Sequence, residues 1–244
     1  MNINYNQSNI EFKKGTVILA GAGPGAIKFL TLKLRFALNQ ADVVIYDALV
    51  NKEILKFCKK QTKLIFAGKI KEKKACTQSE INEWLLKYSK LNKKVLRLKG
   101  GDISFFSRGS QEINYLKNNK LKVNVFSGIT SSQAAAEISN SSFFNKSRVC
   151  NFITGHKKIK KFARPINYNF ICKNGGKIFI YMGVSQAKEI ITNLLICGLK
   201  ENEKVTIVYK ASLKSEKLLY SNLGECYDLI KKEKIKSPAI IIIR

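Results

Sequence analysis

Short, largely apolar runs alternate with longer stretches of mixed polarity along this chain, and that rhythm predicts its elements. Val17–Ala20, Val43–Tyr46, Leu64–Ala67, Val95–Leu98 and Val123–Phe126 read as strands in the first half. Asn151–Thr154, Lys177–Tyr181, Val205–Tyr209 and Ala239–Ile243 read as strands in the second. Between them lie helices at about Ile27–Asn39, Glu80–Leu91, Ser110–Asn118, Ser131–Ile138, Ser185–Cys197 and about Gly224–Lys232. In Glu80–Leu91, Ile81, Trp84, Leu85 and Tyr88 recur at helical spacing as one buried face, with Ser79 as the N-cap. Thr130 or Ser131 caps the helix that follows Val123–Phe126. Lys52–Lys59 is a loop and short helix. Up to Ile138 the β-α-β alternation implies a mainly parallel sheet with ligands at the carboxyl ends of its strands. Between Ser139 and Gly176 the rhythm breaks into one strand and a basic loop punctuated by Pro165, Gly175 and Gly176. The fold class is therefore α/β: a polar lead-in (1–14), one α/β lobe (15–128) and a second (129–244), with the active site in the cleft between the lobes.

The stretch from Thr16 to Asp47 organises the first lobe. A strand, the turn Gly21-Ala22-Gly23-Pro24-Gly25, a helix and a second strand ending in an acid make a ligand cradle. Gly21-x-Gly23-x-x-Ala26 fits the dinucleotide fingerprint, with Asp47 near the place of its ribose-binding acid. Three further turns lie at strand ends: KGGD (99–102), SGITSS (127–132) and YMG (181–183). Four such turns suggest that backbone groups of both lobes line one pocket, and a dinucleotide fingerprint does not demand the other three.

Composition narrows the classes. Hydrophobic residues make up 45% of the 244, enough for a real core. No apolar run approaches the roughly 20 residues of a membrane span, and residues 1–15 lack the apolar core of a secretory signal, so a cytoplasmic protein is expected. One histidine and six scattered cysteines without a C-x-x-C argue against a metal site, and His156 has no serine elbow to serve. The net charge of +27 suits nucleic acid or another polyanion. The lysines are spread over the whole chain and do not interleave with the aromatics as a stacking motif, so no nucleic-acid partner is expected. A polyanionic small substrate would gain from the same field.

Taken in order, VILAGAGPG, FLTLK, ADVVIYDALVNKEIL, FAGK, QSEIN, VLRLKGGD, SGITS, ITGH, YMG and SPAIIII resemble the tetrapyrrole methylases, and among them the uroporphyrinogen-III C-methyltransferases. The resemblance runs over about residues 15–244, and the combination YDALV, RLKGGD and YMG is its specific part. It implies a two-lobed homodimeric enzyme that takes S-adenosylmethionine as methyl donor, without a metal, and methylates uroporphyrinogen III at C2 and C7 to give precorrin-2. On the matching motifs, the resemblance implies cofactor contacts at Pro24, Gly100, Gly101, Asp102, Phe105, Thr130, Ser131, Met182 and Ala211. It implies Asp47 as proton acceptor and Lys69 as proton donor. The substrate of that family carries eight carboxylates; Arg97, Lys99 and Arg108, near the cleft mouth, are candidates to bind some of them, since arginine pairs with carboxylates in bidentate fashion.

Departures cluster on the tetrapyrrole side. Ala26 stands where the family has an acid, Ile103 and Ser127 where it has prolines. Ser142-Phe143-Phe144-Asn145-Lys146 replaces a segment that usually reads I-P-L-T-H-R, and Tyr209-Lys210-Ala211-Ser212 replaces E-N-G-T. The alternatives are a methylase of a later precorrin, an RNA-methylating relative, an NAD(H) oxidoreductase, and a non-catalytic anion-binding descendant.

Overall fold

A computed structural model describes residues 11–68, 76–144, 148–156 and 165–244, and the chain divides into two compact units, Met1–Thr130 and Ser131–Arg244. The first unit follows the order β1 (Val17–Gly21), α1 (Leu32–Gln40), β2 (Val43–Tyr46), β3 (Lys63–Phe66), α2 (Gln78–Lys90), β4 (Val95–Lys99), α3 (Gly109–Asn118) and β5 (Val123–Phe126). Its five strands are all parallel, in the spatial order β3-β2-β4-β1-β5. Both faces of the sheet are covered, which is why β1 and β4 are buried along their whole length. Ile18, Ala20, Val44, Leu96 and Leu98 pack with Leu34, Ala37 and Leu38 of α1 on one face. Val17, Leu19, Val43, Ile45 and Val95 pack with Ile81 and Leu85 of α2 and Leu116 of α3 on the other. Alternation along β4 puts Arg97 and Lys99 on that second face, beside Val95.

The second unit begins at α4 (Ser131–Ile138) and continues through β6 (Cys150–Thr154), α5 (Tyr168–Asn174), β7 (Lys177–Tyr181), α6 (Ala187–Ile196), β8 (Lys204–Tyr209), β9 (Lys217–Asn222), α7 (Cys226–Lys232) and β10 (Ala239–Ile243). Its sheet has the order β6-β7-β10-β8-β9. Only β6 and β7 run parallel; β10 is antiparallel to both β7 and β8, and β8 to β9. Ile178, Ile180, Ile207, Ile241 and Ile243 meet Ile190 and Leu194 of α6 in one apolar core. On the opposite face Phe179 stacks against Phe143 and Phe152, with ring centres 4.9 and 5.5 Å apart.

Several expectations are corrected. The helix expected from Ile27 starts at Leu32: Ile27–Phe29 is a separate 3-10 turn, and Thr31 caps α1 by accepting from the Leu34 N–H at 3.3 Å. Helix α2 is capped by Thr77, not Ser79. Thr77 and Glu80 form a reciprocal capping box, and Ser79 is already inside the helix, bonded to Glu83. The basic loop contains α5, capped by Asn167 and ended by Gly175 at φ 71°. Strand β9 falls where no strand was expected, and its antiparallel pairing with β8, beside those of β10, makes the second sheet mixed.

Candidate functional site

The first three glycine turns lie at the carboxyl ends of β1, β4 and β5, and they touch backbone to backbone. Gly23 and Gly101 form a two-way bridge: Gly101 N–H donates to Gly23 O at 2.7 Å, and Gly23 N–H to Gly101 O at 3.1 Å. Ala22 N–H donates to Lys99 O at 2.7 Å. A Cβ on Gly21 would stand 2.5 Å from Gly101 O and 2.7 Å from Gly128 N, so glycine is required there for close approach. Asp102 ties the third turn in. Its carboxylate accepts from the N–H of Gly128 at 2.7 Å and of Ser104 at 2.8 Å, and from the Ser104 hydroxyl.

This geometry disposes of the dinucleotide reading. That reading needs the N–H groups of the first turn to point at a pyrophosphate lying on a helix N-terminus. Here the N–H groups of Ala22 and Gly23 are spent on the β4 turn, and α1 starts only at Leu32.

Asp47 follows β2 directly, and its side chain is 29% exposed. The Arg97 guanidinium reaches it with Nη2 at 2.6 Å from Oδ1, and Lys99 Nζ stands 3.6 Å from Oδ2. Behind them lies Glu112, on α3, with no solvent exposure. Its carboxylate accepts from Arg97 Nε at 3.3 Å, from Arg97 Nη2 at 3.2 Å, from Lys99 Nζ at 3.0 Å and from Gln78 Nε2 at 3.1 Å. Arg97 Nη1 completes its set on the carbonyls of Leu98 and Ile45 at 3.2 and 3.4 Å, which spans β4 and β2. Two cations and two acids are thus held together on the covered face of the sheet. Burial alone would raise the Glu112 carboxyl. The charges of Arg97 and Lys99, with hydrogen bonds from Arg97 and Gln78, outweigh that and hold it below the usual carboxylate range.

Arg97 and Lys99 therefore do not stand where substrate-binding cations at a cleft mouth were expected. Arg97 is 1% exposed, and both are committed to Asp47 and Glu112. Arg108, the third expected cation, is exposed, at the N-cap position of α3. Lys69 lies outside the described residues. Pro24 and Phe105 are half-buried, and Thr130 is buried at the end of the first unit.

In the second unit the YMG turn follows β7. Gly155 N–H donates to Tyr181 O at 2.8 Å, which binds the end of β6 to that of β7. Met182 sits at φ 51°, a left-handed conformation that costs a side-chain-bearing residue on the order of 1 kcal/mol, and it is 40% exposed. The buried Tyr181 hydroxyl donates to Ser132 Oγ at 2.7 Å and accepts from Ser132 N–H at 3.3 Å, so YMG is fastened to the helix that Ser131 begins. Ala211 is buried in the turn after β8, between Lys210 at φ 49° and Ser212 at φ 69°.

The sequence reading missed Glu112 and Ser132. For Glu112 a signal existed: Gly109, Glu112 and Leu116 form the buried stripe of α3, so an acid occupies an apolar position in a domain whose buried strand β4 carries an arginine and a lysine. Among the described residues, the cysteines join no group of three or more His, Cys, Asp or Glu side chains that could hold a metal ion. Burial pushes the Cys58 and Cys226 thiols up to about 11 and about 12, which leaves little thiolate at neutral pH. Among the described residues, no helix is long and apolar enough to cross a membrane.

Comparison with known proteins places this geometry. The family model for tetrapyrrole (corrin/porphyrin) methylases matches residues 16–227. The chain belongs to that family. It is 35% identical over 232 residues to a uroporphyrinogen-III C-methyltransferase of Methanocaldococcus jannaschii, covering 94% of this chain and 95% of that protein. The crystal structure of a Thermus thermophilus uroporphyrin-III C-methyltransferase with S-adenosylhomocysteine superposes with a TM-score of 0.78 at 27% identity, covering 93% and 91% of the two chains. A cobalt precorrin-4 methyltransferase superposes with a TM-score of 0.84 at 21% identity, covering 94% of each chain, and at that identity shares the fold.

Proposed function

We propose that this chain transfers methyl groups from S-adenosylmethionine to C2 and C7 of uroporphyrinogen III, giving precorrin-2. The observation that carries the reading is the likeness, end to end, to the Methanocaldococcus jannaschii enzyme. The donor supplies an already activated methyl group, so the protein's main task is alignment. The residues that would contact it are Pro24, Gly100, Gly101, Asp102, Phe105 and Thr130 in the first unit, and Ser131, Met182 and Ala211 in the second. The residues present suit such a ligand. The Gly100–Gly101 turn offers backbone without side chains, and Met182 is held exposed in a conformation that the fold must enforce. Asp102 would act there by holding the KGGD and SGITSS turns together, since its carboxylate is already engaged within the first unit.

Asp47 is the proposed proton acceptor. It is the one acid of the buried cluster that reaches solvent, and Arg97 fixes its carboxylate in place. Lys69 is the proposed proton donor. Arg108 is the exposed cation for a substrate carboxylate. A cytoplasmic homodimer is part of the same proposal.

The deciding experiment incubates the purified protein with uroporphyrinogen III and methyl-labelled S-adenosylmethionine, then counts methyl groups in the product by mass spectrometry. Two added methyls are expected. No methylation of uroporphyrinogen III, with turnover of an already methylated precorrin, would replace this reading by that of a later-precorrin methylase.

A further inference from the structure

We infer that Glu112 is a positioning residue for methyl transfer: it sets how Asp47 is held by keeping Lys99 away from it and by anchoring the Arg97 that bonds it. The inference rests on Asp47 being the proton acceptor. Four charged groups from three elements share one buried cluster: Asp47 after β2, Arg97 and Lys99 on β4, and Glu112 on α3, with Gln78 of α2 bonded to Glu112.

The two acids are treated unequally. Glu112 receives four donor nitrogens within 3.3 Å, whereas Asp47 receives one short contact from Arg97 Nη2 and a 3.6 Å approach from Lys99. Lys99 Nζ stands nearer Glu112, at 3.0 Å, and Arg97 Nη2 is shared between the acids at 2.6 and 3.2 Å. Glu112 thus occupies Lys99 and the Nε side of Arg97. That leaves Asp47 with one fixed oxygen, Oδ1, and a second, Oδ2, held only loosely. An oxygen fixed by a guanidinium orients the carboxylate, and the looser oxygen is the one able to take a proton. Without the negative charge at 112, two buried cations face a single acid, and Lys99 closes on Oδ2. The role needs Glu112 to touch neither donor nor substrate, and its complete burial agrees with that.

The test is a double-mutant cycle on kcat, measured by labelled methyl transfer at saturating substrate over multiple turnovers, with Asp47→Asn, Glu112→Gln and the pair. Glu112→Gln keeps the side-chain shape and removes the charge. It is expected to lower kcat at least 10-fold while the Kd for S-adenosylhomocysteine, read by calorimetry, changes less than 3-fold. In the Asp47→Asn background the same substitution is expected to change kcat less than 2-fold. Gln78→Met, which removes a neutral donor to Glu112 together with its hydrogen bond to Asn82, is the gentler second variant should Glu112→Gln not fold. It should lower kcat a few-fold in the native background and not in Asp47→Asn.

Independent, additive losses in kcat would overturn the positioning role while leaving Asp47 as base. So would equal losses of kcat and cofactor affinity. Unchanged turnover in Asp47→Asn alone would remove Asp47 as the base, and with it the reading on which this inference stands.

Discussion

The two units use their sheets differently. In the first, a parallel sheet covered on both faces takes charge into its interior: Arg97, Lys99 and Glu112 lie among Val95, Ile45 and Leu116. In the second, a mixed sheet keeps an aliphatic core of isoleucines on one face and a phenylalanine stack on the other, and its irregular features sit in the turns. Met182, Lys210 and Ser212 all have positive φ there. Precision in the first unit comes from charges that satisfy each other. In the second it comes from backbone held by well-packed neighbours. The first device is sensitive to proton concentration and to loss of a single partner; the second is sensitive to volume.

The largest expected effect tests the charged interior. Arg97→Leu leaves Glu112 buried with Lys99 as its one remaining cation, and should cost about 3–5 kcal/mol in urea unfolding. Phe179→Ala, the volume counterpart in the second unit, should cost about as much by leaving a cavity. A near-neutral Arg97→Leu would erase the contrast. Next is Gly21→Ala, where a Cβ meets the backbone of two other turns; about 3 kcal/mol is expected. Gly198→Ala, with φ 100° but open space around it, should cost only about 1 kcal/mol by the same measurement.

Acid should then separate the units. Because the folded state holds the Glu112 carboxyl below its ordinary value of 4.5, the first unit's stability from this group is complete above that pH. It is lost as the pH falls from there through the depressed folded value. Amide exchange read peptide by peptide should show β2 and β4 loosening first, with β7 and β10 unchanged. Simultaneous loosening of both units would mean that the charge cluster is not what limits the first. The smallest effect is Tyr181→Phe, which removes the hydroxyl partner of Ser132 and should cost about 1 kcal/mol in thermal unfolding.

Strand positions were legible because apolar runs of this kind have few other uses: β2, β5, β7 and β10 lie where the hydrophobic pattern puts them. Strand direction was not legible. A run such as Ala239–Ile243 reads the same whether its neighbours are parallel or antiparallel, and the antiparallel pairings of β10 and of β9 make the second sheet mixed. Helix starts slipped where two capping residues competed. Thr77 wins over Ser79 because Glu80 returns its hydrogen bond, and Thr31 takes the start of α1 from the glycine turn. The turn motifs pointed to the right strand ends. What they concealed was that much of their polar backbone is spent on neighbouring turns. The burial of Arg97 was invisible while β4 was read alone, because its compensating acid is supplied from α3.

Strand β10 has a consequence for how the chain is made. The first unit's sheet has all its strands once Phe126 has been synthesised, so it can close while the second is still being translated. The second sheet cannot. Its middle position belongs to Ala239–Ile243, the last of its strands to emerge, so β6-β7 and β8-β9 must wait as two separate pairs with apolar edges facing an empty seat. Nascent chains stopped before residue 239 should therefore carry a protease-resistant first unit and a susceptible second, and a chaperone would find its binding surface on that unfinished half.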